Sequence, residues 1–443
     1  MRGSADESGH RLPSNLNSNT ADTVVWGPKN PSTSSHQGSG VPSLGTSRYQ
    51  VEAEIARGGM SNVFRARDAQ LSRDVAIKVL RLDPVTHPDA IRSYANEARI
   101  MSYLSHPGVT PVYDCGACDD GRPYQVMRLV TGITLREMIQ GDVPYRMSAL
   151  LRVFADICQT MAFAHARNVM HLDLKPANVM VGEFGEVHVM DWGLARFHGR
   201  VPNNLGDWVY ANSEDIVKRG VNGTLEYMSP EQARCEQLDL RADVFSLGAI
   251  LCEILLGHAP YQGESIRQLY ARARKASMDS TLEGLEEIDT DRALVRLAKR
   301  CLAPLKDDRP ASAVEVAQEM ALHHDTALQR VENDMNRFFE LSLDLFCIAD
   351  FNGYFRRINA NFTRVLGHPE SELLSRPFLD FIHPDDHAET IRVMGVLLEG
   401  QPVVRFRNRY RTINDELITL EWTAKAIGSE KLIFAVARDV TAG

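Results

Sequence analysis

Long apolar runs are missing from these 443 residues. The most apolar stretch, Val244 to Leu256, is short and interrupted by Ser246, Gly248 and Glu253. It is too short to span a bilayer and reads as a buried core helix. The first residues offer no apolar signal-peptide core, so no membrane segment is expected. A basic excess is lacking as well: 58 Asp and Glu outnumber 49 Lys and Arg, for a net charge of −9. No nucleic-acid partner is expected, because a phosphate-binding surface needs surplus Lys and Arg. Cysteines are few and follow no framework spacing, with seven at 115, 118, 158, 235, 252, 301 and 347. The odd number favours reduced thiols and a cytoplasmic location. Cys115 and Cys118 form a lone C-x-x-C. A metal site would need a second ligand pair, and two small residues near a strand end is the plainer reading.

What is present is a globular composition, 44% hydrophobic and 24% charged, in a chain long enough for two or three domains. Residues 1–47 are rich in Ser, Gly, Asn and Pro, carry no apolar period, and read as disordered. Between 49 and 135 the pattern gives strands with one inserted helix. Arg73 to Leu80 and Tyr124 to Leu129 read as buried strands. Ala90 to Leu104 reads as a helix, with Ile91, Tyr94, Ala98 and Met101 on one face and His106-Pro107-Gly108 as its stop. From about Leu135 to 325 the pattern is mostly helical, with Ala149 to Arg167 a long apolar-periodic helix. A strand-rich part followed by a helix-rich part implies two lobes with a cleft between them. Residues 314–338 read as one helix whose positions Ala317, Ala321, His324, Leu328, Val331, Met335 and Phe338 make a heptad-like seam. It is either a homodimerising coiled coil or a helix packed on its own neighbours. Residues 339–443 read as a small α+β unit, with strands Val403 to Thr412, Leu417 to Ala426 and Lys431 to Val440 and a hairpin at Asn414-Asp415.

The chemistry concentrates in His171-Leu172-Asp173-Leu174-Lys175-Pro176-Ala177-Asn178, followed by Asp191-Trp192-Gly193. Two acids and an amide stand there at the spacing that holds a phosphate–metal complex. Asn178 and Asp191 offer the hard oxygens that suit Mg²⁺. Asp173 would take the proton of an attacking hydroxyl, and Lys175 would screen charge on a transferred phosphoryl group. Upstream, Lys78 follows the apolar triplet Val75-Ala76-Ile77, and Glu97 lies on the next helix to hold it. Taken singly, a strand lysine is usually a snorkelling residue, and Asp-x-x-x-x-Asn is usually a turn. Their order along one chain reverses both priors.

Residues 48–325 resemble the protein kinases, whose motif set matches these positions. Ser229-Pro230-Glu231, Gly223-Thr224, Asp243 and Arg309-Pro310 extend the match, with Arg309 expected to pair with Glu231. Asp173-Leu174-Lys175-Pro176 resembles serine/threonine kinases, and the segment from Gly223 to Gln232 looks most like the bacterial, eukaryotic-like branch. The resemblance implies an α+β, bilobal fold with a β-rich small lobe and an α-rich large lobe. It also implies ATP, two Mg²⁺ ions and protein substrates bearing Ser or Thr. By the same resemblance ATP would contact Ile55, Ala56, Gly58, Gly59, Ser61, Val63, Ala76, Lys78, Met127, Leu129 and Val130, with Met127 as gatekeeper.

Two departures carry meaning. The phosphate loop Ala56-Arg57-Gly58-Gly59-Met60-Ser61-Asn62-Val63 keeps only the middle glycine of G-x-G-x-x-G-x-V. A methyl at 56 is expected to narrow the backbone and weaken ATP binding without abolishing it. Leu172 stands where the family usually has an arginine that meets a phosphate on the activation segment. Activation is therefore expected not to depend on that contact. A pseudokinase scaffold remains the alternative to an active enzyme.

Residues 337–443 resemble a PAS sensor domain through Ser342 to Asp350, Gly353-Tyr354, Asn359 to Phe362, Leu366-Gly367, His383 to Asp386 and Arg438 to Thr441. The resemblance implies a five-stranded antiparallel sheet with helices over one face, joined to the kinase by residues 314–338. The ligand is not readable. Cys347 lies on a strand, away from the helical part where a flavin-reactive cysteine would sit, and His383 belongs to a turn motif. Arg405, Arg407, Arg409 and Arg411 are expected on one strand face, either solvated or set against an acidic partner.

Overall fold

A computed structural model describes residues 42–58, 60–82, 88–141, 145–199, 201–202 and 223–441. The tail expectation, except for residues 42–47, together with Gly59 and the 203–222 part of the activation segment, lies outside them. The chain divides into two compact units, Met1–His323 and His324–Gly443.

The first unit opens with a five-stranded antiparallel sheet: β1 (Tyr49–Arg57), β2 (Ser61–Asp68), β3 (Arg73–Leu80), β4 (Val112–Ala117) and β5 (Pro123–Arg128), in the order β1-β2-β3-β5-β4. The central strand β3 is an apolar run because side chains on both of its faces are buried. Val75, Ala76, Ile77, Val79 and Leu80 are all buried. Helix α1 (Pro88–Tyr103) buries Tyr94, Ala98 and Met101 at helical spacing, and Glu97 falls on that same inward face.

The rest of the unit is mainly helical. Helix α2 (Leu135–Gln140) starts on a reciprocal cap between Thr134 and Glu137. Helix α3 (Met147–Ala166) buries Leu150, Val153, Phe154, Ile157, Cys158, Met161 and Ala164, three- and four-residue steps that lay one stripe against the core. By length and composition this helix could cross a membrane. Its stripe sits instead in the largest hydrophobic core of the unit. The helix Arg241–Leu256 is buried from Ala242 through Leu255, hence its unbroken apolarity, and it ends at Gly257 in the left-handed region with φ +81°. A three-stranded sheet of β6 (Gly132–Thr134), β8 (Val179–Gly182) and β9 (Val187–Val189) carries the catalytic stretch. The short pair β7 (Val169–Met170) and β10 (Arg196–Phe197) flanks it. A long helix, Ala313–Leu341, runs across the division between the units.

The second unit is a five-stranded antiparallel sheet in the order β12-β11-β15-β14-β13: β11 (Leu345–Asp350), β12 (Phe355–Ile358), β13 (Val403–Arg411), β14 (Leu417–Ile427) and β15 (Leu432–Asp439). The turn after β11 is held by Asp350, whose Oδ1 accepts from the backbone of Asn352 and Tyr354, while Gly353 takes φ +84°. Its core contains Phe362, Leu366, Leu373, Ile382 and Leu420, all fully enclosed.

Strand β13 does not alternate throughout, because a bulge interrupts its pairing with β14 between Val403 and Phe406. Arg405 sits in that bulge at φ +58° and is exposed, as Arg407 is, while Asn408 and Tyr410 are buried. Two of the arginines are paired within the unit, Arg407 with Glu421 at 2.8 Å and Arg409 with Asp386 at 2.6 Å.

Candidate active site

Lys78 projects from β3 toward α1, and Glu97 meets it with both carboxylate oxygens, at 2.7 and 2.9 Å. Asp191 Oδ1 lies 3.3 Å from the same ammonium. Burial alone would lower the Lys78 pKa, but the two carboxylates outweigh it and hold the group protonated well above its ordinary range. Burial likewise opposes charge on Asp191, and Lys78 reverses the balance, lowering its pKa. Tyr94 donates its hydroxyl to the Lys78 carbonyl at 2.5 Å, tying α1 to β3 behind the ion pair.

The catalytic loop is anchored from below. Asp243, fully buried near the start of its helix, accepts the backbone N–H of His171 at 2.7 Å and of Leu172 at 2.8 Å. His165 Nε2 lies 3.0 Å from the same carboxylate, and its Nδ1 accepts the backbone N–H of Ala313 at 3.0 Å. With Nδ1 an acceptor, the ring proton is on Nε2 and points at Asp243. Burial penalises the Asp243 charge, but the His165 hydrogen bond, with the backbone N–H of Leu172, outweighs it and brings the pKa below the ordinary value. His171 adds two more ties: Nε2 meets the Met190 carbonyl at 3.0 Å and Nδ1 accepts from Asp173 N at 3.3 Å.

Leu172 occupies an unusual backbone state, φ +67°, at a position with a full side chain. A left-handed residue of this kind costs about 1–2 kcal/mol. The surroundings hold it there. Its N–H goes to Asp243, its carbonyl accepts from Gln232 Nε2 at 2.8 Å, and its side chain, 5% exposed, packs with Met170, Leu238 and Ala242, flanked by Leu194 and Leu240. Gly223, at φ +114°, passes so close that a Cβ there would stand 3.3 Å from the Leu172 carbonyl oxygen.

Asp173 emerges from this anchored loop with four donors around it. Oδ1 accepts from Thr224 N at 2.9 Å and Thr224 Oγ1 at 3.0 Å. Oδ2 accepts from Lys175 Nζ at 2.9 Å and Asn178 Nδ2 at 3.2 Å. Lys175 also reaches Thr224 Oγ1 at 2.7 Å. The Asn178 amide nitrogen is committed to Asp173, which leaves its carbonyl oxygen without a hydrogen bond among the described residues. That oxygen and the Asp191 carboxylate are hard oxygens of the type that suits Mg²⁺.

The residues expected around ATP converge. Ile55, Ala56, Val63, Ala76, Met127 and Leu129 form one apolar cluster, and Val130 joins Met180 and Met190 in another. Met180 and Met190 escaped the sequence reading, because methionines in an apolar strand look like ordinary core. At the loop, Gly58 N donates to Ser61 O at 2.8 Å, closing the β1–β2 turn, and Ser61 is buried in register with Leu80. Ala56 is 5% exposed, is paired with Val63 just after a register shift in β1, and has no positive φ. Its methyl packs instead of straining the backbone. Farther out, Arg309 and Glu231 meet as a buried two-pronged pair at 2.7 and 3.0 Å.

In the second unit Cys347 lies buried on β11, where burial pushes its thiol pKa up. His383 accepts the Asp385 N–H as a helix cap, a structural use. All seven cysteines are free. Among the described residues no group of three or more His, Cys, Asp and Glu gathers as a metal site.

Residues 49–325 match the protein kinase domain family, and residues 355–436 match the PAS fold. Among curated relatives, serine/threonine-protein kinase PknB of Mycolicibacterium smegmatis is 36% identical over 282 residues, 63% of this chain and 43% of that protein. PknB of Mycobacterium tuberculosis is 35% identical over 292 residues, 64% and 44% of the two chains. PknD of Protochlamydia amoebophila is 31% identical over 321 residues, 69% and 31%. The chain thus spans less than half the length of these relatives.

Proposed function

The chain belongs to the protein kinase family, and we propose that it transfers the γ-phosphoryl group of ATP to serine or threonine hydroxyls of proteins, under control of its PAS unit. The observation that carries the catalytic part is Lys78, gripped by Glu97 and facing Asp191. Lys78 is positioned to pair with the α- and β-phosphates, with the Ile55–Val63–Ala76–Met127 cluster against the adenine. Asn178 and Asp191 would hold two Mg²⁺ ions, whose charge offsets that of the β- and γ-phosphate oxygens. The substrate hydroxyl attacks the γ-phosphorus as its proton passes to Asp173 and the bond to the β-phosphate oxygen breaks. Lys175 screens the moving charge. The preference for Ser and Thr rests on Lys175 between Asp173 and Thr224, and on the names of the relatives. Phosphotransfer from labelled ATP tests the reading. Asp191→Asn and Asp173→Asn should each lose at least about 100-fold; signals equal to wild type would leave a scaffold without turnover.

Leu172 supports activity that does not need an arginine–phosphate contact. Loss of activity in Ser213→Ala, restored in Ser213→Glu, would overturn this. Exposed Met335 and Phe338, at 63% and 66%, lie on the seam of the long helix and support a homodimer. Paired Met335→Glu and Phe338→Glu changes should halve the mass in solution. Free cysteines support a reducing, cytoplasmic setting. Control by the PAS unit is tested by deleting residues 339–443. Unchanged activity, oligomeric state and ligand response would remove it.

A further inference from the structure

His188 differs from the other buried histidines near the candidate site. Its side chain is 2% exposed, yet neither ring nitrogen has a hydrogen-bond partner among the described residues. No other described side chain has two buried polar atoms left in this way. His165 and His171, just as buried, engage both of their nitrogens. A leucine between Val187 and Val189 would fill the place without leaving a polar atom unpaired.

Strand alternation tells which way the ring faces. Val187 and Val189 belong to the main core of the first unit, so His188 lies on the other side of β9, with Met190. Across the ladder its direct partner in register is Met180. Met180 and Met190 cluster with Val130, one of the residues expected to touch ATP. The imidazole thus stands beside both methionines of that row, one across the ladder and one along the strand. The backbone beneath it is pinned. Val189 N–H donates to the Gly108 carbonyl at 2.8 Å, and Met190 N–H donates to the Asn178 carbonyl at 2.7 Å.

Two ionised groups act on the ring, Arg128 at the end of β5 and Glu186 just before β9. Burial, reinforced by Arg128, holds the pKa of His188 below its ordinary 6.5, against the opposing pull of Glu186. A neutral ring suits a row of thioethers. A protonated one does not, because both of its N–H groups would be buried without an acceptor. With the strand pinned, the ring and the two methionine side chains are the parts that yield.

We propose that His188 is a positioning residue of the nucleotide site, keeping the Met180–Met190 row in place while neutral and displacing it when protonated, so that adenine affinity falls as pH falls. The proposal rests on the reading of this site as one for ATP. Its sign follows from linkage: a ligand that favours the neutral ring binds at full strength above the pKa of the free protein and progressively more weakly below it.

The probe is adenosine, which carries no phosphate to titrate, bound to the full chain in calorimetry from about pH 7.5 to about pH 5. Wild-type affinity should fall at least about threefold over that range, since exclusion of the protonated form costs up to about tenfold per pH unit. His188→Gln and His188→Leu have no titrating ring. Each should change less than about twofold over the same range, with amide exchange across β8 and β9 showing the sheet still formed. A wild-type affinity independent of pH, or the wild-type slope kept in both variants, would overturn the proposal. A ring that merely fills space gives that second result, with weaker binding at every pH and an unchanged slope. Absence of adenosine binding by wild type even at neutral pH would overturn the adenine reading and the proposal together, whereas a flat profile overturns the proposal alone.

Discussion

Leu172→Arg would place a guanidinium where the structure packs Met170, Leu194, Leu238, Leu240 and Ala242 around an isobutyl group. The left-handed backbone is common to both residues, so its cost cancels. Two effects remain. Burial of the leucine, worth about 1.5–3 kcal/mol, is lost. In its place stands a cation without a partner in that cluster, an arrangement that costs about 3–5 kcal/mol where it has been forced. The side chain will relieve part of this by moving, and it can move only by pulling on the backbone that Asp243 and Gln232 hold. We expect about 3 kcal/mol of lost stability in the first unit, read by denaturant-dependent exchange of peptides over 169–175. Displacing Asp173 by about 1 Å should lower kcat about 100-fold, with the KM for ATP changed less than threefold because the Lys78 side is untouched. Leu172→Met, similar in volume, should cost less than about 1.5 kcal/mol and stay within threefold of wild-type kcat. If Leu172→Arg is as stable and as active as wild type, the apolar cluster does not position the loop.

Glu97→Gln removes the charge partner of Lys78 but keeps a hydrogen bond, so kcat/KM should fall about 10- to 100-fold in steady-state assays, and Lys78→Met should fall further. Asp243→Asn should cost about 3 kcal/mol at pH 7 with a definite pH signature. The folded pKa of Asp243 lies below the ordinary 3.8. Its stabilisation is therefore complete at pH values above the unfolded pKa and is lost as pH falls through the folded value. The gap between wild type and Asp243→Asn in urea titrations should hence shrink only below about pH 4; a gap that closes near neutrality contradicts the assignment. Ala56→Gly, which restores the first glycine of the loop, should destabilise by about 0.5–1 kcal/mol and leave the ATP affinity in calorimetry unimproved, because Ala56 is paired with Val63 and has no positive φ that a glycine would relieve.

The candidate site was legible because its residue types recur in one order along the chain: a strand lysine after an apolar triplet, a helical glutamate, then Asp-x-x-x-x-Asn before a second Asp. A buried strand lysine needs a carboxylate. The structure brings Lys78, Glu97 and Asp191 together, and Asp173, Lys175 and Asn178 likewise. Where Leu172 goes was not legible. Its neighbours come from three separate segments, and nothing in a leucine announces a positive φ. The bulge in β13 was hidden for a related reason: period two assumes that no residue is inserted, and four alternating arginines satisfied it on paper. At Ala56 the comparison with glycine suggests a narrowed backbone; the chain there pairs with Val63 and has no positive φ.

His165 has no spare nitrogen. One faces Asp243 under the catalytic loop, and the other accepts the first amide of the helix Ala313–Leu341. Helix starts ordinarily leave their first N–H groups to water or a cap, where they can fray cheaply. Here fraying would empty a hydrogen bond inside the core and free the ring that steadies Asp243. The opening turn of this helix is therefore tied, through one imidazole, to the carboxylate that holds the His171 and Leu172 backbone.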